Sequence, residues 1–207
     1  MRIIASFDDG SKEDLIVADI MKDYGIDTIF YFPMQPWFVN EAFGRVSLSP
    51  TERQLIAKDH EIGSHTITHP LLTRIDPAQA HEEIYESRLE LIEEFDQQIE
   101  AFSYPRGYAN PELQAMVQFA GYSHARGVTV GYLDEPENPY YEQTTVHVGC
   151  DRKEYGGRNW LEYALDMMEM STSLSTYHLW GHSWELAKDF HNFDKLKQLC
   201  EQLVKRK

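Results

Sequence analysis

The chain has 207 residues and a formal charge of −15, from 19 basic and 34 acidic side chains, with a 42% hydrophobic share. That length carries a full core for one domain over residues 1–207, and the acidic balance argues against charge-driven binding of nucleic acid or an anionic membrane. It also offers no attraction to a polyanionic substrate, unless a local basic pocket overrides the average.

The opening MRIIASFDDG enters a strand pattern at once, without the apolar core of a signal peptide. The other apolar runs are too short to span a bilayer. The expectation is therefore a cytoplasmic protein that does not insert into a membrane. Cys150 and Cys200 are the two cysteines, too few for a disulfide scaffold, and are expected as free thiols.

In chain order, residues 3–7 read as a buried strand and 13–24 as a helix whose apolar side includes Leu15, Ala18 and Met21, with Gly25 placed to end it. Residues 28–32 form a second strand, 50–58 a short helix and 61–63 a third strand. Asp76-Pro77 pairs an N-cap residue with proline at the first helical position, opening a helix to about residue 97 that buries Ile84, Leu91, Ile92 and Phe95. A strand over 101–103 follows. Asn110-Pro111 repeats the cap signature, and Gly121 closes that helix. Residues 123–125 and 144–148 are strands, 160–170 a helix, 176–180 a strand. The last helix, 192–204, puts Phe193, Leu196, Leu199 and Leu203 on one face. This alternation predicts a parallel sheet with helices outside it. No glycine-rich dinucleotide turn is present, which favours a barrel over an open sheet. In such barrels functional residues sit where strands end and loops begin.

The unusual residues fall at those strand ends. Asp8 and Asp9 close the first strand, and Gly10 lets the backbone turn. Neighbours on a regular strand point to opposite faces, but at a bending end two acids can approach one site, one on a metal and one free to take a proton. The bland alternative is a solvated loop with a capping acid. His65 and His69 are four apart, and Pro70 disfavours helical geometry at His69, so a tight turn is expected. Two imidazoles and a carboxylate make a facial set that leaves positions for water and substrate. His60 reads as a surface or packing residue. The Pro105-Arg106-Gly107 loop can aim a backbone N–H at a developing oxyanion, or simply connect strand to helix. His178, Trp180 and His182 share one strand face, and His182 at the strand end can protonate a leaving amine. Trp37, Tyr108, Tyr132, Trp180 and Trp184 are candidates for stacking on a substrate or for the core.

Taken together, Ser6 to Gly10, His65 to Pro70, Pro105 to Gly107 and Gly181-His182 resemble the polysaccharide deacetylase family, the NodB-homology or carbohydrate esterase family four, over residues 5 to about 185. The resemblance implies a distorted (β/α)7 barrel and metal-dependent removal of N-acetyl, or O-acetyl, groups from a carbohydrate or glycoconjugate. It makes Asp8 the base, Asp9, His65 and His69 the ligands of one divalent ion, His182 the acid, and the Arg106 N–H part of the oxyanion hole. Zinc is the first expectation for the ion, with cobalt, nickel, manganese or iron as alternatives. Three departures stand out. Ser103 holds the place of an arginine that orients the base, leaving Arg106, Arg126 and Arg158 as replacements. The Asp-Trp segment that orients the acid is not clear, with Asp151 and Trp160 as candidates. His178 competes for the acid role. Two other readings keep the site: an allantoinase-like or imidase-like hydrolase of a small cyclic amide, and an inactive carbohydrate-binding homologue. A cytoplasmic member would act on a nucleotide-linked or lipid-linked precursor rather than on assembled wall polymer.

Overall fold

The structure is a computed structural model that describes residues 1–206. Seven strands form one parallel sheet: β1 (Arg2–Asp8), β2 (Asp27–Phe32), β3 (Glu61–Ser64), β4 (Ala101–Ser103), β5 (His124–Arg126), β6 (Val146–Val148) and β7 (Thr176–Gly181). Their order is β5-β4-β3-β2-β1-β7-β6, so β1 is an interior strand and the sheet curls into a distorted (β/α)7 barrel left open between β5 and β6.

The helices that cover it are α1 (Asp14–Tyr24), α2 (Pro50–Ile56), α3 (Pro77–Phe95), α4 (Pro111–Phe119), α5 (Trp160–Met170), α6 (Ser183–Leu186) and α7 (His191–Val204). The expected caps form. Asp76 accepts from the Ala78 N–H at 2.9 Å and Asn110 from the Leu113 N–H at 2.8 Å, satisfying orphan donors of the first turns. Gly25 ends α1 in the left-handed conformation that a Cβ disfavours. The predicted face of α7 is the buried one. On α3, Ile84 and Leu91 are fully buried, while Ile92 and Phe95 pack at the edge of the core. The short helix α6 had no signal in the periodicity, since four residues are too few to show one.

Beyond Arg2, β1 is largely buried on both faces, as an interior parallel strand is. One large apolar cluster runs from Ile3 to Leu203 between sheet and helices. Both cysteines are free, with Cys200 buried and Cys150 half-buried. Among the described residues no helix is long and apolar enough to cross a membrane.

Candidate active site

The ends of β1 and β7 and the segments that follow β1, β2, β3, β4, β5 and β7 line one cleft of about 590 Å³ at the C-terminal end of the sheet. Its lining includes Asp8, Asp9, His65, His69, Arg106, Trp180 and His182. Thus all six residues singled out from sequence reach the same cleft.

The backbone there is strained. Among the described residues, Asp9, Thr66, His69 and Arg106 are four of the five non-glycine residues with positive φ; the fifth, Asp96, ends α3. Such conformations cost of order 1–3 kcal/mol each and persist only where surrounding contacts impose them. The contacts are visible. The Asn40 side-chain amide donates to the Asp9 carbonyl at 2.8 Å. Glu83 of α3 accepts from the Ile67 and Thr68 N–H groups at 2.8 and 2.9 Å, and the His69 N–H donates to Thr66 Oγ1 at 3.0 Å. These bonds fold the His65–His69 segment into the tight turn expected before Pro70.

Asp9 Oδ1 lies 3.8 Å from His65 Nε2 and 3.6 Å from His69 Nε2, and it is buried without a hydrogen-bond partner. His65 Nδ1–H donates to the Ser103 carbonyl at 2.7 Å, which leaves Nε2 as a bare lone pair facing the carboxylate. Burial holds both imidazoles in the neutral form, outweighing the neighbouring carboxylates at His65 and, with help from His65, keeping His69 at about 3. The carboxylate oxygen and the His65 lone pair face each other with no proton between them and repel, and the second neutral imidazole stands 3.6 Å from the same oxygen. A divalent cation removes that repulsion, so the donor set fits one.

Asp8 stands beside this set with a different partner. Its carboxylate accepts a short hydrogen bond from Arg126 Nη2, and a 3.4 Å bond from Ser103 Oγ. Arg126 also donates to Ser103 Oγ at 2.9 Å and to the Gly127 carbonyl at 2.8 Å. The guanidinium is fully buried between the rings of Trp180, at 4.8 Å, and Tyr31, at 5.2 Å. Gly63 permits this, because a Cβ there would meet the Tyr31 ring at 2.4 Å. Burial alone would push the Asp8 carboxyl up, but Arg126, His65 and His182 outweigh it and hold it at about 2. Of the three arginines left open by sequence, Arg126 is therefore the one on the base. Arg158 pairs with Asp166 instead. β4 and β5 pair Ser103 with Arg126, so the guanidinium arrives from the strand next to the expected one.

His182 Nδ1–H donates to Glu185 Oε2 at 2.8 Å, and Nε2 turns towards Asp9 Oδ2 at 3.9 Å. Glu185 also accepts from His147 Nε2–H at 2.6 Å, and the His147 ring stacks on Trp180 at 3.9 Å. Burial disfavours the His182 imidazolium, yet Asp9, Glu185 and Asp8 outweigh it and raise it to about 9. Glu185 lies on α6, the element sequence reasoning missed, three residues beyond the histidine it holds. The two residues proposed for that task lie elsewhere: Asp151 accepts from the Trp160 N–H at 2.8 Å and so ties down the start of α5. His178 is buried with Nε2 sharing a hydrogen bond with Ser6 Oγ at 2.9 Å, and it lines a cavity at the opposite end of the sheet. It is a core histidine. His60, bonded to the Ala18 carbonyl and edge-on to Phe30, is a packing residue. Trp180 and Trp184 line the cleft, whereas Tyr132 lines cavities away from it.

Fold and site together define a class: a parallel α/β barrel carrying one carboxylate and two imidazoles, with a second, arginine-held carboxylate, at its C-terminal mouth. Residues 2–125 match the polysaccharide deacetylase family model, and the chain belongs to that family. It is similar to a chitooligosaccharide deacetylase of Bradyrhizobium sp. (strain ANU 289), 28% identical over 89 residues; these are 40% of this chain and 35% of that protein, so the match spans about a third of the relative. Its fold is similar to that of a family 4 carbohydrate esterase from Streptomyces lividans in complex with acetate, with TM-score 0.66, 14% identity, and coverage of 99% of this chain and 88% of that one. It is also similar to a family 4 pseudoenzyme from Bacillus anthracis, with TM-score 0.62, 12% identity, and coverage of 97% and 60%.

Proposed function

We propose that the chain is a divalent-metal-dependent deacetylase that hydrolyses an N-acetyl group of a carbohydrate, releasing acetate and a free amine. The observation that carries the reading is the orphaned Asp9 oxygen facing two neutral imidazoles, beside a carboxylate committed to an arginine instead. Asp9, His65 and His69 would hold the ion, zinc first. A bound divalent cation supplies Lewis-acid polarisation of the acetyl carbonyl and acidifies water.

The chain's own groups do the rest. Asp8, ionised at any working pH, takes the proton of the water that adds to the acetyl carbon. Arg126 and Ser103 hold that carboxylate in place. The Arg106 N–H, on a turn that lines the cleft, would donate to the oxyanion. His182, oriented by Glu185, gives the Nε2 proton to the departing nitrogen as the C–N bond breaks. An amine anion is too poor a leaving group to go unprotonated. Trp180, packed against His147 and Arg126, and Trp184, which carries Arg45 and Lys188, shape the wall of the cleft in which the sugar would lie.

The test is acetate release alongside metal analysis. Asp8→Ala should abolish turnover with near-normal metal content, whereas His65→Ala should lose both. Unchanged activity in Asp8→Ala removes the assignment of the base. The fold similarity to a pseudoenzyme keeps the binding-only reading in view; sugar binding without acetate release would favour it. Screening cyclic amides beside N-acetylated sugars separates the imidase-like reading.

A further inference from the structure

The cleft carries charges that the proposed chemistry leaves unused. Besides Asp8, Asp9 and the histidines, its wall consists of Arg45, Arg106, Lys188, Val39, Phe43, Val128, Trp180 and Trp184. Acids outnumber bases 34 to 19 in the chain, yet here the only acids are the two catalytic ones, and three cations stand around them.

Those cations are not matched by the nearby carboxylates. Asp8 is engaged by Arg126, Asp9 belongs to the metal-binding trio, and Glu185 is held by His147 and His182. Arg45 reaches Asp9 only at 3.9 Å and Lys188 reaches Glu185 only at 4.0 Å, both at the limit of an ion pair. The Arg45 guanidinium is fixed over the Trp184 ring at 4.0 Å and the Phe43 ring at 5.2 Å; its Nη2 donates to the Val39 carbonyl, and its Nε is buried and unpartnered. Lys188 lies on Trp184 at 4.4 Å. Arg106 is exposed, and its backbone is held left-handed by the Pro105–Gly107 turn. Exposed guanidinium and ammonium groups such as those of Arg106 and Lys188, standing at the rim of a concave wall, bind anions through charge-assisted hydrogen bonds.

We infer that the substrate is an acetylated sugar bearing an anionic group, a phosphate ester or a carboxylate, which Arg106 and Lys188 bind at the mouth while the acetamide sits at the metal centre. Arg45, between Trp184 and Asp9, supports the inner part of the same field. The inference rests on the deacetylase reading and narrows it to charged sugars. It separates this chain from a protein that acts on neutral chitooligosaccharides.

The experiment uses the full metal-loaded chain with four substrates: the neutral methyl glycoside of N-acetylglucosamine, N-acetylglucosamine 1-phosphate, its nucleoside-diphosphate conjugate, and N-acetylmuramic acid. Acetate release and equilibrium binding are both measured, for the wild type and for the double variant Arg106→Gln/Lys188→Gln. The expected result is a kcat/KM at least ~10-fold higher for an anionic sugar than for the neutral one. That ratio should fall about 10-fold in the variant and shrink as salt is raised. Preference for the phosphate pair, or for the carboxylate alone, identifies the source of the anion. An equal or better neutral substrate overturns the inference while leaving the deacetylase reading intact. A preference undiminished in the variant places the anion on the metal and overturns it too. If nothing is turned over, the deacetylase reading fails and binding decides: tighter binding of the 1-phosphate than of the glycoside, lost in the variant, supports the anion site, and equal binding refutes it. Circular dichroism and metal content verify that the variant folds.

Discussion

The two ends of the sheet hold cavities of similar size, about 590 Å³ at the C-terminal mouth and about 540 Å³ at the N-terminal end. Both are lined by histidines and carboxylates. They differ in how those groups are spent. At the N-terminal end His124 pairs with Glu142 at 3.4 Å, Lys22 with Asp59 at 2.8 Å, and His178 with Ser6 at 2.9 Å. No non-glycine residue lining that cavity has a positive φ. At the mouth, a buried carboxylate oxygen has no proton donor, three lining residues are strained, and Arg45 and Lys188 reach carboxylates only at 3.9 and 4.0 Å. Volume therefore says little about where chemistry occurs. Unspent donors converging under strain say much more.

The contrast can be broken, most forcefully at Arg126. Arg126→Met leaves Asp8 buried without its counter-charge, and such a change costs about 3–5 kcal/mol. Urea unfolding should show that loss together with loss of acetate release; a stable, active Arg126→Met protein would show that Asp8 does not need the guanidinium. Glu185→Gln should be milder in stability but lower kcat by about 10-fold to 100-fold. Removing this carboxylate takes away part of what raises His182, so the alkaline limb of the rate profile should move to lower pH. An unmoved limb would take Glu185 out of the positioning role.

A third effect concerns pH in the metal-free protein. His182 is raised on folding to about 9, so its contribution to stability is complete below the unfolded value of ~6.5 and disappears as pH climbs through about 9. Asp8 is depressed to about 2, so its contribution is present above ~4 and is lost as acid takes the pH down through about 2. Thermal melts of the metal-free chain should decline on both sides of that window. The smallest effect is expected at the other end of the sheet. His124→Gln should change stability by no more than ~1 kcal/mol, as partly exposed pairs do, and leave acetate release within about twofold. A large loss of activity there would erase the distinction between the two cavities.

Strand-end acids, the His65–His69 turn and the Pro-Gly loop were legible because each is a local pattern with a local consequence. A strand stops, a proline restricts the residue before it, a glycine permits a turn. The helices with caps and long apolar stripes were legible for the same reason. What escaped was pairing across strands and across gaps. Nothing near Asp8 in sequence announces Arg126, 118 residues away. Glu185 is only three residues from His182, but α6 is too short to show a period, and nothing local marks its carboxylate as the histidine's partner.

By itself, then, the chain's pattern of strands, caps and chemically active residues decided the fold class and which side chains would face the cleft, because both follow from periodicity and local backbone preference. Only the tertiary structure decided who holds whom. The alignment of β5 beside β4 brings a buried guanidinium to Asp8, and the turn into α6 swings Glu185 under His182. Those partnerships depend on strand register and packing distance, quantities to which no short stretch of sequence is sensitive.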